Sequence, residues 1–185
     1  MNDLLDRFDS PSEDRMGQIV GPHGTGKSTL LKAIIAEIRR QGETVIEVVL
    51  RDKQRKLPPE LHERLRELRN EVFVLTIDGY EQLSFFEQLR LIWIRARHRC
   101  GIIITAHRPA GGWPILYETS PSLEMLERVL RHLLKGETLI SAKFLDRLYK
   151  KHNGNLRLIL LDLYDEWEQR HKPDKGTINT FPLTP

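Results

Sequence analysis

Residues 21–28 read Gly21-Pro22-His23-Gly24-Thr25-Gly26-Lys27-Ser28, a G-x-x-x-x-G-K-S pattern. These residue types at this spacing make an anion cradle when a strand precedes them and a helix follows. Glycines let the backbone curl until successive N–H groups point at phosphate oxygens. The following helix adds the positive end of its dipole. Lys27 reaches the β- and γ-phosphates of a nucleoside triphosphate, and the Ser28 hydroxyl is placed to bind Mg²⁺. Thr29 continues the same first turn, so the candidate nucleotide contacts of this stretch run from Gly21 to Thr29.

A triphosphate site also needs a carboxylate to organise the cation. Asp78 closes the apolar run Val72–Ile77 (VFVLTI) and opens the turn Asp78-Gly79-Tyr80-Glu81. A carboxylate at a strand end orients Mg²⁺ directly or through water. Ser28 and Asp78 are therefore the metal-ligand candidates, and Lys27 and Asp78 the first two members of a catalytic set.

These residues have to be held by strands and helices in alternation. Gly17–Val20 is a short apolar strand running into the glycines, and Ser28–Gln41 carries Leu30, Leu31, Ile34, Ile35 and Ile38 on a helical stripe closed by Gly42. Thr44–Leu50 is β-branched and strand-like, while Glu60–Asn70 puts Leu61, Leu65 and Leu68 on one helical face. Val72–Ile77 is apolar throughout, as a parallel strand buried on both sides should be. Ser84 and Glu87 have the spacing of a capping box and open a helix to about His98. Gly101–Thr105 (GIIIT) is a further buried strand and Pro114–Glu118 a short fifth. This order calls for an α/β fold, a parallel sheet with helices on both faces.

The last third reads differently. Ser120-Pro121-Ser122 offers a cap and a first-turn proline for a helix to about Leu134, Ser141 caps a helix to His152, and Asn153-Gly154 then breaks the chain before Asn155 caps a helix to about Arg170. The expected organisation is a nucleotide-binding domain over 1–120, a small helical lid over 121–171 and a flexible tail over 172–185, which has no periodicity.

Composition narrows the class. Hydrophobic residues make up 39% of the 185, enough for a core, yet no apolar run reaches the ~18 residues of a membrane-spanning helix. The acidic, polar N-terminus lacks a signal-peptide segment, and the single cysteine, Cys100, permits no internal disulfide. A cytoplasmic protein without membrane insertion is the expectation. Lys and Arg total 29 against 26 Asp and Glu, a net charge of +3. The two basic clusters, Arg51–Lys56 and Arg95–Arg99, read as solvated loop or helix ends, which leaves a nucleic-acid partner weakly supported.

On these motifs the sequence resembles a P-loop NTPase of the division that includes the AAA+ and ABC ATPases. Gly21–Ser28 matches Walker A and Val72–Asp78 matches Walker B. The resemblance implies a sheet ordered 5-1-4-3-2, ATP with Mg²⁺ as ligands, and a polar sensor ending strand 4, a place that Thr105 fills. His107 alternatively resembles the switch histidine of ABC ATPases. Phe144–Tyr149 followed by Asn153–Arg157 is similar to the end of an AAA+ lid, as in the bacterial secretion- and transposition-associated AAA ATPases. That likeness makes Arg157 a second sensor for the γ-phosphate. Arg7 and Phe8 occupy the region where similar folds contact the base. The guanine-reading N-K-x-D motif is absent, in keeping with ATP.

The departures shape the functional readings. Members of this division commonly place a catalytic glutamate beside the Walker B aspartate, where this chain has Gly79. Glu81 is then the candidate base, and a glutamate introduced at 79 is expected to raise turnover unless Gly79 needs a positive φ. The short path from His107 to the fifth strand leaves no helix for an arginine finger, so Arg95, Arg97, Arg99 and Arg108 are the remaining trans candidates. The ABC signature LSGGQ is absent before Walker B. The leading reading is an ATP-binding protein, a Mg-dependent ATPase with slow or partner-stimulated hydrolysis that couples nucleotide state to another protein. A non-hydrolysing nucleotide switch or DNA-handling adaptor is the alternative. A small-molecule kinase, with Asp52 holding the acceptor and Arg108 or Arg128 serving as lid arginines, is the third.

Overall fold

The computed structural model describes residues 2–9, 15–68, 71–133 and 140–171. They form two compact units, one ending at Pro121 and the other beginning at Ser122. The expected tail, 172–185, lies outside the described residues.

The first unit is built on β1 (Met16–Val20), β2 (Thr44–Val49), β3 (Phe73–Asp78), β4 (Gly101–Ala106) and β5 (Ile115–Glu118). They make one parallel sheet in the order β2-β3-β4-β1-β5. Counted from the other edge this is the expected 5-1-4-3-2. Strands β3 and β4 are central and buried along nearly their whole length, which is why both read as unbroken apolar runs.

Alternation along the central strands divides the core into two layers. Phe73, Leu75 and Ile77 of β3 pack on one side with α3 (Glu60–Glu67) and α4 (Phe85–His98), through Leu61, Leu91 and Ile94. Val74 and Ile103 face the other side, toward α1 (Asn2–Phe8) and α2 (Lys27–Arg40). In α2 the buried residues Lys27, Leu31, Ile34, Ile35 and Ile38 recur at helical spacing, and the apolar members fill that layer.

Three details differ from the sequence reading. The helix α1 is unforeseen: its seven residues are mostly polar, and only Leu5 and Phe8 mark its buried face. The α3 helix ends at Glu67 rather than Asn70. The capping box forms by half: Ser84 Oγ accepts from Glu87 N at 3.4 Å, but the Glu87 carboxylate accepts from Leu57 N at 3.2 Å instead of turning back to Ser84. The Ser84 N–H is already donated to the Arg55 carbonyl, so the reciprocal bond has no donor left.

The second unit holds α5 (Leu123–Leu133), α6 (Ala142–Lys151) and α7 (Leu156–His171) around Leu126, Leu130, Leu145, Leu148, Leu156 and Ile159. Ser122, Ser141 and Asn155 cap them, each side-chain oxygen accepting a first-turn N–H. Pro121 precedes the Ser122 cap and is not a first-turn residue. Asn153 at φ +47° and Gly154 at φ +73° turn the chain out of α6, with Gly154 N donating to Tyr149 O at 2.9 Å. Among the described residues no helix is long and apolar enough to cross a membrane.

Candidate functional site

The carboxyl ends of β1, β3 and β4 lie side by side, and the candidate residues leave the sheet there. This is where ligands sit in open α/β sheets. The registers Ile77↔Ile104 and Val20↔Ala106 carry Asp78, Thr105 and the glycine loop to one edge.

The loop from Gly21 to Gly26 is shaped by its neighbours. A Cβ on Gly21 would stand 2.1 Å from Thr119 Oγ1, so no larger residue fits. Gly24 and Gly26 take φ of +72° and +88°, the left-handed region that glycine enters without penalty. Thr25 Oγ1 lies 2.6 Å from Thr119 Oγ1 and donates toward Pro22 O at 2.9 Å, fixing the loop to the end of β5. Gly26 caps α2 without any side-chain hydrogen bond, leaving the first-turn N–H groups to an external acceptor. Its missing side chain leaves open space. The cradle therefore fits phosphate oxygens, and an exposed Ser28 hydroxyl with the Asp78 carboxylate is the hard oxygen pair that suits Mg²⁺.

Lys27 is nearly buried at 8% exposure, and Nζ donates to Gly21 O and Pro22 O, both at 2.7 Å. Its third proton points at His107 Nδ1, 3.3 Å away. Burial pushes the ammonium below the ordinary lysine value, against the pull of the Glu81 and Asp78 carboxylates. Because lysine only donates, Nδ1 of His107 is the accepting nitrogen and Nε2 carries the proton. Nε2 lies 2.7 Å from Glu81 Oε1. Burial holds His107 below the ordinary histidine value; Glu81 pulls the other way, and Lys27 and His23 add to the depression. The His23 ring packs on His107 with centroids 3.5 Å apart.

Asp78 is held separately. Thr105 Oγ1 donates to Asp78 Oδ1 at 2.6 Å and accepts from Gly79 N at 2.9 Å. Gly79 sits at φ +90° with the Leu50 carbonyl 3.1 Å from where a Cβ would stand, so this backbone requires glycine. A glutamate beside Asp78 would therefore be strained in this turn. The 3-10 turn Tyr80–Gln82 then brings Glu81 to His107.

Lys27, Asp78, Glu81, Thr105, His107 and His23 are thus brought together. Other candidates of the first unit are not. Phe8 is buried at 1% exposure, where its ring meets Gly101 and Val74, and Arg7 is committed to the carbonyls of Leu116 and Ile115, so neither is free for a base. Arg95, Arg97 and Arg99 stand in the last turn and cap of α4, at the amino end of β4 and away from the loop. Arg108 is exposed just beyond the site, and Asp52 is exposed in the turn after β2. Arg128 of the second unit pairs with Glu124. Arg157 lies exposed in the first turn of α7, within the second unit. Cys100 is buried, which raises its thiol to about 11 and suits it to packing.

Two contributors were not legible beforehand. Thr119 presses on Gly21 and Thr25, and no motif marks it. Gln18 donates to Ala110 O and Trp113 O and accepts from Ala110 N, pinning the short path from β4 to β5. A buried glutamine in an apolar strand is the one signal that pointed there.

Residues 12–89 match the family described as "Protein of unknown function (DUF815)". No curated protein matches the sequence. Among solved structures, the chain is similar to domain III of the replication initiation protein DnaA from Thermotoga maritima, at 18% identity and TM-score 0.60, covering 92% of this chain and 84% of that one. It is also similar to the replication initiator DnaA bound to AMPPCP and single-stranded DNA, at 19% identity and TM-score 0.57, covering 91% of this chain. AMPPCP-bound DnaA from Aquifex aeolicus gives 18% identity and TM-score 0.54, with 92% covered. The chain spans 62% of the length of each of the latter two. With the glycine loop after the first strand, the aspartate ending the third and the sheet order between them, this chain has the fold of a small AAA-type P-loop ATPase.

Proposed function

We propose that the chain binds ATP with Mg²⁺ in the cradle from Gly21 to Thr29 and hydrolyses it slowly, at a rate a protein partner raises. The supporting observation is that His107 joins Lys27 to Glu81 at the carboxyl ends of the strands, where Thr105 holds the Asp78 carboxylate. The first-turn N–H groups of α2 bind phosphate oxygens, and the Lys27 ammonium joins them by exchanging its loop-carbonyl partners, Gly21 O and Pro22 O, for phosphate. Ser28 and Asp78 would hold the cation, which would supply positive charge to the phosphate oxygens when bound. Thr105 fixes the Asp78 carboxylate. Glu81 takes the proton of the attacking water, and the His107 Nε2–H orients the Glu81 carboxylate for it. Arg157 is the candidate γ-phosphate sensor by resemblance.

Adenine is preferred on the same grounds, since DnaA structures of this fold carry AMPPCP. We place the protein in the cytoplasm, where such a triphosphate is available. Binding of a fluorescent ATP analogue with Mg²⁺ and with EDTA, followed by single-turnover hydrolysis, tests the reading. Failure to bind in either condition rejects it.

One observation favours a second reading, a nucleotide switch that does not hydrolyse. A glutamate beside Asp78 is opposed by the backbone at Gly79, and the nearest carboxylate, Glu81, stands two residues further on. Tight binding with no turnover in any condition would select that reading. A role at DNA rests only on the likeness to DnaA, one structure of which is bound to single-stranded DNA.

A further inference from the structure

We propose that the outer face of α4 docks an amphipathic helix of a partner protein, one with carboxylates at both ends of its apolar stripe. The inner face of α4 is accounted for by Leu91 and Ile94 in the core. The outer face carries Phe85, Phe86, Leu89, Ile92 and Trp93, exposed by 67, 79, 48, 47 and 60%. They recur at i, i+1, i+4, i+7 and i+8, so at ~100° per residue they form one continuous stripe along the helix. Single exposed apolar residues are ordinary; a contiguous stripe of five large ones marks an interaction surface.

The ends of the stripe say what covers it. Ser84 N donates to Arg55 O at 3.0 Å and Glu87 accepts from Leu57 N, which ties the loop carrying exposed Arg55 and Lys56 to the first turn of α4. Exposed Arg97 and Arg99 stand at the other end. The two basic clusters of the sequence, which the nucleotide site does not use, are therefore brought to opposite ends of one apolar face. The only carboxylate of α4, Glu87, is turned to Leu57 and Arg90. An apolar stripe with cations at both ends complements an apolar stripe with carboxylates at both ends.

The spacing is that of a helix-to-helix contact. A second copy of α4 does not fit, because parallel and antiparallel pairing alike set cations against cations. Single-stranded nucleic acid would find aliphatic Leu89 and Ile92 at the centre of the stripe, where bases need rings to stack on. The stripe also follows directly from the turn that holds Glu81, so a helix seated there lies next to the element that positions the candidate base.

The test uses the full chain, without nucleotide, and a labelled helical peptide of about 20 residues with a leucine stripe and glutamates at both ends. A second peptide carries lysines in their place. Fluorescence anisotropy should show the glutamate peptide binding at least about tenfold tighter, since at each end of the stripe the lysine peptide replaces attraction with repulsion. Leu89→Ser with Trp93→Ser should abolish that binding, and Arg55→Glu with Arg97→Glu should reverse the order of the two peptides, with thermal melts showing that both variants remain folded. Equal binding of the peptides, or no binding of either, overturns the proposal. So does tighter binding to phosphatidylserine vesicles or to a single-stranded oligonucleotide, or self-association that the Leu89→Ser, Trp93→Ser variant removes. Because no nucleotide is present, the result is separate from the fate of the ATP reading.

Discussion

His107 Nε2 lies 2.7 Å from Glu81 Oε1, while Nδ1 of the same ring faces Lys27 Nζ at 3.3 Å. One neutral imidazole therefore joins the phosphate loop to the candidate base, and both of its nitrogens have fixed roles. Glu81→Gln keeps an oxygen to accept from His107 but removes the basic charge. ATP affinity should be retained and turnover should fall by about 10²–10⁴-fold, the usual contribution of a general base. Single-turnover hydrolysis measures it; an unchanged rate would take Glu81 out of the chemistry.

Lys27→Ala should eliminate MgATP binding, read with a fluorescent analogue. It should also cost the loop some stability, since Lys27 donates to two loop carbonyls. At roughly 1 kcal/mol per hydrogen bond the loss is modest and the fold should survive. Normal ATP affinity in the folded variant would contradict the phosphate role.

Asp78→Asn retains an acceptor for the Thr105 hydroxyl, so the geometry of the strand end should persist. What disappears is the charge that holds the cation. Nucleotide affinity should drop when measured with Mg²⁺ and stay near the wild-type value in EDTA. Equal losses in both conditions would mean that Asp78 serves the loop and not the metal.

Gly79→Glu, which the sequence alone suggested as a way to raise turnover, should instead destabilise the protein by about 1–3 kcal/mol, the cost of holding a side chain in disfavoured backbone space. The φ of +90° and the Leu50 carbonyl at 3.1 Å both oppose a Cβ there. Gly79→Ala should cost nearly as much in urea denaturation. A stable, faster Gly79→Glu enzyme would overturn this reading of the turn.

His107 also predicts a pH dependence. Burial holds its folded value below the ordinary 6.5, with Glu81, Lys27 and His23 the charged or titratable groups facing it. Unfolding then takes up a proton in the window below about 6.5, so the stability due to neutral His107 is complete above that value and is lost as pH falls through the folded one. Between about pH 7.5 and 5.5 the wild type should lose more resistance to urea than His107→Gln does. Turnover should hold at and above about pH 6.5 and fall only further down, as pH passes through the lowered folded value, because a protonated Nδ1 cannot accept from Lys27. Parallel losses in both proteins would place the titration elsewhere.

The glycine loop, Asp78 and the alternation of strands with helices were all legible in the sequence, because each is a local rule. A left-handed turn needs glycine, a strand buried on both faces needs an unbroken apolar run, and a helix start needs a cap. Tertiary structure alone decided what these local pieces meet. Thr119 and Thr25 are 94 positions apart, and it is the pairing of β1 with β5 that puts Thr119 beneath the loop. Phe8, which by resemblance was a candidate for contacting the base, is a core residue because α1 closes over the sheet. Glu81 could be a turn residue or a base by sequence; the positive φ of Gly79 turned it toward His107. The clusters Arg51–Lys56 and Arg95–Arg99 looked unrelated until two hydrogen bonds tied the first to the start of α4, the helix whose far end carries the second. Spacing along a chain cannot carry such information, since strand register and loop closure join residues that no local periodicity connects.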